Sequence, residues 1–263
     1  MIFAIVGGDA RQRAVGERLQ ALGHEVVGQE QVCRADVVVL PLPLDADQVG
    51  LADILRAVRP GAVLLGGKVT PQAAQMARAA GVPLLDYLER PELEERNAIP
   101  TAEGCIGLLL RHRRSTLWQS HVLVLGFGRV AQALAVRLAA LGARVTVAAR
   151  RGEQRARAES LGCRAVPMQE LGRAAAGVDT VVNTVPAPVL GRSVLRQLTP
   201  GALVIDLASR PGGTDFEAAQ QLGVRAIHAL GLPARCAPDT AGRFVAQAVL
   251  DILQERGGCC EQK

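Results

Sequence analysis

The chain has 263 residues, nearly half of them apolar, a formal charge of +5, and only one Trp, one Tyr and four Phe. That length accommodates two ordinary domains, and so few rings leave a core of Val, Leu, Ile and Ala, which suits buried parallel strands. Base-stacking on single-stranded nucleic acid is excluded, and no helix-turn-helix or basic stripe supports binding to DNA. The charge is almost wholly arginine, since Lys occurs only at 68 and 263. Scattered as it is, it reflects either overall composition or a preference for anionic ligands. Cys33, Cys105, Cys163, Cys236, Cys259 and Cys260 show no metal-ligand spacing, so no metal is expected and the thiols read as free in a reducing, cytoplasmic setting. The first apolar run is too short for a signal peptide or a membrane span.

In chain order, 1–6 reads as a strand, and Gly7-Gly8-Asp9-Ala10-Arg11-Gln12 opens a helix that Gly23 ends. A strand–Gly-Gly–helix turn favours anions, though it is not a dinucleotide fingerprint. Asp9 serves either as a helix cap or as a substrate contact. Arg11 and Gln12 lie in the first turn, facing whatever binds over the strand ends. Strands are predicted at 24–27, 36–42, 62–65 and 83–86, with helices at 48–58 and 71–80. This alternation implies a doubly wound parallel sheet in a first domain over 1–98. Its strand exits carry Gly7, Gly8, Pro43, Gly66, Gly67 and Lys68, a candidate binding lip.

Residues 89–96 read as a surface turn or short helix that Pro100 stops. Thr101 then caps a helix over 102–114, expected to lie buried as an interdomain connector within 99–116. The second domain, 117–240, opens with an apolar strand, then Gly126-Phe127-Gly128-Arg129-Val130-Ala131, a helix, and a second strand ending at Ala149. Strand, Gly-x-Gly-x-x-Ala, helix and strand in register form the dinucleotide fingerprint in its proper context. Gly126 permits the tight turn, Gly128 lets the pyrophosphate approach, and Ala131 keeps the helix on the sheet.

An NAD site places Asp or Glu at the end of the second strand to accept from the ribose. This chain places Ala149, Arg150 and Arg151 there. Two guanidinium groups and no carboxylate select the extra phosphate of NADP, unless the arginines merely begin the next helix as solvated charges. Further strands follow at 164–166, 180–184, 202–207 and 224–227. Asn183-Thr184-Val185-Pro186, at the end of one of them, is expected to line the cofactor. An amphipathic helix over 241–256 is expected to cross back onto the first domain, and 257–263 to be a disordered tail. The fold class is therefore α/β, with two doubly wound parallel-sheet Rossmann-like domains and a cleft between them.

One block is more specific than any of these: Asp206-Leu207-Ala208-Ser209-Arg210-Pro211-Gly212-Gly213-Thr214-Asp215-Phe216. With Gly7–Gln12, Ile99-Pro100-Thr101-Ala102-Glu103-Gly104, the fingerprint, 183–186, Gly231-Leu232-Pro233 and Ala237-Pro238-x-Thr240-Ala241-Gly242, the chain closely resembles the family of dipicolinate synthase A subunits over 1–256. The resemblance implies an enzyme of spore-forming bacteria, in the mother-cell cytoplasm, on the branch from lysine biosynthesis to dipicolinic acid. It implies hydroxy-tetrahydrodipicolinate or dihydrodipicolinate as substrate, NADP as oxidant and, as partner, a small flavoprotein-like B subunit. The implied fold is similar to that of the two-domain D-2-hydroxyacid dehydrogenases.

Oxidising a cyclic dicarboxylate needs hydride acceptance, proton removal and carboxylate clamps. Arg210, just past an apolar strand, can hold a carboxylate bidentately, or can instead pair with Asp215. Ser209 and Thr101 can hydrogen-bond substrate and relay a proton. The dicarboxylate is expected to lie between Arg210 and the Gly7–Gln12 helix start. The 233–242 stretch contains no histidine, so the acid/base pair of hydroxyacid dehydrogenases has no counterpart there. Glu103 is the best carboxylate candidate, unless it only complements a helix dipole. Two other readings stay open: a dehydrogenase of a different small carboxylate, or an NADP-binding subunit whose partner does the chemistry. The sequence does not fix the oligomeric state.

Overall fold

The structure, a computed structural model, describes residues 1–258. It divides into two compact units: 1–97 with 233 onward, and 98–232. Each is an α/β sandwich built on one parallel sheet.

The first unit contains β1 (Ile2–Ile5), α1 (Ala10–Ala21), β2 (Glu25–Val27), β3 (Val37–Val39), α2 (Leu51–Ala57), β4 (Val63–Gly66), α3 (Pro71–Ala79) and β5 (Leu84–Asp86). The strand order is β2-β1-β3-β4-β5. Strands such as Val37-Val38-Val39 are apolar throughout because helices cover both faces, so no alternation is needed. One face packs Val38, Leu40, Leu64 and Ile54, and the other packs Phe3, Leu65 and Tyr87.

A helix, α4 (Pro91–His112), leaves this unit and runs on into the second. Pro100 lies inside it and does not end it. Proline removes one donor and leaves the carbonyl of Arg96 without its helical partner. Leu93, Ala98, Ala102, Cys105 and Leu109 are all buried, and packing along that stripe outweighs one lost bond. The expected start at Thr101 is thus corrected to Pro91, and the one helix spans the boundary between the two units at 97/98.

The second unit contains β6 (His121–Leu125), α5 (Arg129–Ala140), β7 (Arg144–Ala149), α6 (Gly152–Ser160), β8 (Arg164–Pro167), α7 (Leu171–Ala175), β9 (Thr180–Asn183), α8 (Arg192–Leu195), β10 (Leu203–Asp206), α9 (Phe216–Gln221) and β11 (Arg225–His228). Its six strands run in the order β11-β10-β9-β6-β7-β8, all parallel. The order reverses at β6, and at such a switch point a crevice opens beyond the strand ends. Val122, Val124, Leu134 and Leu138 fill one layer, and Leu123, Leu125, Val181 and Val204 the other.

The chain re-enters the first unit at Pro233, earlier than 241, through α10 (Leu232–Cys236) and α11 (Pro238–Gly258). Helix α11 lies on α1 so closely that a Cβ at Gly242 would stand 2.5 Å from Ala14 Cβ and 2.7 Å from the Arg11 carbonyl oxygen. Gly257 and Gly258 continue this helix rather than begin a disordered tail, and residues 259–263, with Cys259 and Cys260, lie outside the described residues. Among the described residues no helix is long and apolar enough to cross a membrane.

Candidate functional site

The nucleotide-binding turn follows from β6. Gly126 has φ +84°, and a Cβ there would meet Thr184 Oγ1 at 2.7 Å and Val185 Cγ2 at 2.9 Å, so only glycine fits. Thr184 Oγ1 donates to the Leu125 carbonyl at 2.7 Å, fixing the turn to the end of β9. Gln132 Nε2 donates to the Phe127 carbonyl at 3.0 Å, and Phe127 itself is buried. A Cβ at Gly128 would have no atom within 4 Å, so it would project into open space. Gly128 caps α5 with its backbone alone, leaving the amides of the first turn directed outward at the positive end of the helix. Arg129 and Val130 open the helix at the surface, and Ala131 is fully buried where the helix meets the sheet. This open space, amide array and close helix–sheet contact fit a dinucleotide pyrophosphate.

At the end of β7, Ala149 is buried while Arg150 and Arg151 are exposed. Neither guanidinium has a polar partner among the described residues. Arg155, which sequence reasoning missed, holds this corner by donating to the carbonyls of Ala149 at 3.1 Å and Arg150 at 2.8 Å. An arginine four residues past Arg151, in the first turn of a helix, was its only signal.

Beyond β9 and β10 the structure has a buried network that the sequence reading did not anticipate. Asp206, fully buried, accepts from Asn183 Nδ2 at 2.9 Å, the amides of Ala208 at 3.0 Å and Gly213 at 2.9 Å, and Thr214 Oγ1 at 2.7 Å. Asn183 also donates to the Val185 carbonyl at 3.1 Å and accepts from the Val185 amide at 3.0 Å. Asn183 therefore shapes this turn at the end of β9. Val185 and Pro186 continue from it at the strand end. Gly213 passes so close that a Cβ would lie 2.5 Å from the Ala187 carbonyl oxygen. His228 Nε2 bonds the Ala208 carbonyl at 2.8 Å, and its ring lies against Phe216 with centroids 5.5 Å apart. A carboxylate ending an apolar strand, followed by Gly-Gly-Thr, was the available signal for this network.

The network pins a loop whose tip is Ser209 and Arg210, both exposed. Asp215 caps α9 by accepting from the Ala218 amide at 2.9 Å. The Arg210 guanidinium has no polar partner among the described residues, so Asp215 does not neutralise it.

In the first unit, Gly7 (φ +100°) and Gly8 leave β1 and lead into α1. Asp9 caps the helix by accepting from the Gln12 amide at 2.8 Å. Gln12 is fully buried, and its Nε2 donates to the carbonyls of Val6 at 2.7 Å and Val39 at 3.3 Å. Arg11, also buried, donates to the Leu42 carbonyl and lies 3.6 Å from Asp9. Gln12 Oε1 and Arg11 Nε have no hydrogen-bond partner among the described residues. Nearby, Tyr87 donates to the Leu40 carbonyl at 3.0 Å, and burial pushes its phenol far above the usual range against the opposing pull of Arg11. Gly67 approaches Tyr87 and Leu42 too closely for a Cβ, and Asp86 accepts from the amides of Lys68 at 3.0 Å and Val69 at 2.6 Å. Asp9, Arg11 and Gln12 thus brace the helix start and the strand ends, and Arg13 Nη1 donates to the Gly8 carbonyl at 2.7 Å.

Thr101 and Glu103 lie well inside α4, not at its start. Glu103 therefore feels no N-terminal dipole. It is exposed and sits 3.5 Å from Arg137 in an ion pair. Among the described residues no group of His, Cys, Asp and Glu could hold a metal.

A curated relative, the dipicolinate synthase A subunit of Bacillus subtilis, is 33% identical over an alignment covering 96% of each chain. The chain belongs to the family of dipicolinate synthase A subunits. Two solved members of the family superpose along nearly their whole length. The A subunit from Bacillus halodurans gives a TM-score of 0.86 at 29% identity, covering 96% of this chain and 97% of that one. The Bacillus subtilis protein gives 0.84 at 31% identity, covering 97% and 96%. Residues 109–219 match the NAD-binding domain of D-isomer specific 2-hydroxyacid dehydrogenases. Escherichia coli D-lactate dehydrogenase shares the fold, with a TM-score of 0.70 at 13% identity over 98% of each chain. The chain is thus an oxidoreductase of dehydrogenase type, with a nicotinamide nucleotide as its cofactor.

Proposed function

We propose that this protein oxidises a cyclic dicarboxylate of the hydroxy-tetrahydrodipicolinate or dihydrodipicolinate type to dipicolinate, with NADP as cofactor. Taking the dihydro ring to the aromatic one removes a hydride and a proton, and starting from the hydroxylated ring one water leaves as well. The bound nicotinamide supplies the hydride acceptor. The first-turn amides of α5 hold the pyrophosphate, and Arg150 with Arg151 holds the additional phosphate that distinguishes NADP. Arg210 holds a substrate carboxylate, and Ser209 or Thr101 passes on the proton.

The observation that carries this reading is the unpaired Arg210 guanidinium on a loop fixed by Asp206 at the end of β10. A fork held by a rigid turn loses little entropy on pairing with a carboxylate. Arg210→Ala is expected to lose at least about 2 kcal/mol of transition-state stabilisation. Arg210→Lys keeps the charge without the fork and should fall between Arg210→Ala and wild type. NADP affinity should change in neither. Steady-state kinetics beside direct NADP titration decide, and wild-type turnover in Arg210→Ala would overturn the assignment.

A second reading has one observation in its favour: among the described residues no histidine is hydrogen-bonded to a carboxylate. On that reading the chain binds NADP while a flavoprotein-like B subunit supplies the acid/base. Turnover by the purified chain alone, compared with turnover in the presence of its partner, separates the two.

A further inference from the structure

The second unit has a basic recess at the strand starts, the edge of the sheet opposite the Gly126 turn. Parallel register sets it up: His121 pairs with Arg144 across β6–β7, and Thr146 with Arg164 across β7–β8. Residues paired in register share a face, as do residues two apart along a strand. All four side chains therefore leave the sheet on one side, the side of Leu123. Helix α7 covers that side with Leu171 and Ala175 and brings Arg173 to the rim. Two adjoining cavities result, of about 240 and about 530 Å³, which share His121, Thr146 and Arg164.

Positive charge outweighs negative in this recess. Arg164 lines both cavities, Arg144 the larger and Arg173 the smaller. None of the three guanidinium groups has a hydrogen-bond or ion-pair partner among the described residues. Glu170 is the one carboxylate on the walls, and the nearby Asp179 is bound to Arg113 at 2.9 Å. Thr146 is buried and its Oγ1 lies 2.8 Å from His121 Nε2, which fixes the imidazole in the floor. Burial, and then the positive charge of Arg164, hold His121 below the usual histidine range. Some arginines of the chain are paired off, as Arg90 is with Glu255 and Arg34 with Glu25, whereas these three gather on one recess. Convergent forks around a hydroxyl and an imidazole form an arrangement that recognises phosphate or carboxylate oxygens.

We propose that this recess is a second anion-binding site, for a small, multiply charged phosphate or carboxylate, separate from the nucleotide site at the other end of the same strands. It rests on the register and charge of the strand starts and does not depend on the substrate assigned above.

Calorimetric titration of the whole chain with inorganic phosphate, pyrophosphate and citrate tests it. At least one should bind saturably, with sodium chloride at matched ionic strength producing no such signal. Tighter binding of pyrophosphate would identify a phosphate site, and tighter binding of citrate a carboxylate site. Arg144→Gln combined with Arg164→Gln should weaken that anion at least about tenfold while leaving NADP affinity unchanged. Both side chains are exposed, and retained NADP binding checks that the variant folds. As a direct reporter, the His121 ring resonances should shift on titration in wild type and not in the variant. The proposal is overturned if none of the three anions saturates below about 10 mM. It is equally overturned if the double variant binds as wild type does, or if NADP displaces the anion.

Discussion

The turns that follow β1 and β6 look alike in sequence, each a run of apolar residues breaking into glycines before a helix, yet they are built for different work. In the first, Asp9, Arg11 and Gln12 turn back and occupy the cap, the Leu42 carbonyl and the strand-end carbonyls of Val6 and Val39. In the second, Gly128 caps the helix with its backbone, and Gln132 reaches back to the Phe127 carbonyl. The first helix start is capped by a side chain, and the second by backbone alone. A glycine turn thus becomes a phosphate site less by its glycines than by whether a side chain takes the cap position.

Substitutions that exchange the two characters test this contrast. The largest effect is expected from Gly126→Ala, which must hold φ +84° and place a methyl within 3 Å of Thr184 and Val185. About 3 kcal/mol of stability should be lost, with nucleotide binding lost as well, as read by denaturant unfolding and NADP titration. Gln12→Ala removes a buried strut from two strand-end carbonyls and should cost about 2 kcal/mol of stability without altering NADP affinity. If its affinity for NADP collapses while the fold survives, the first turn is not merely structural.

Arg150→Asp replaces a free guanidinium at the end of β7 with the acid an NAD site uses. It should move the NADP-over-NAD preference by about 1.5 kcal/mol towards NAD, measured as paired dissociation constants. Unchanged constants would make Arg150 a bystander. Gly128→Ala should leave stability unchanged, since its Cβ meets nothing, and weaken the nucleotide by about 1 kcal/mol by obstructing the pyrophosphate. Gly8→Ala, equally open, should change NADP affinity by less than about 0.5 kcal/mol. An equal loss in these last two variants would erase the distinction between the turns.

How far the sequence could be read depended on how local each cause was. Strand, Gly-x-Gly-x-x-Ala, helix and strand is a contiguous pattern, and the parallel α/β architecture follows from it and from the apolar strands. Helix α4 was misjudged because Pro100 is a strong local signal, while the burial of Leu93, Ala98 and Ala102 that overrides it is tertiary. Placing Glu103 near a helix start carried that error forward. Asn183 was expected to line the cofactor because it ends a strand on the right side of the sheet. Its bond to Asp206 was not legible, since Asp206 is twenty-three positions away and meets it only through β9–β10 pairing. The recess of Arg144 and Arg164 escaped notice for the same reason, since only strand register brings those residues beside His121.

The close crossing at Gly242 also bears on how the molecule comes into being. Helix α1 leaves the ribosome well before the helix it must touch, which carries Val245, Val249 and Ile252 on its buried side. Until Pro238 onward has emerged, the β1–β3 half of the first sheet lacks one wall of its core. By then all of 98–232 has been synthesised and can fold without waiting. The nucleotide-binding unit therefore has its whole chain available before the other unit does, whose core needs the later helix for one of its walls.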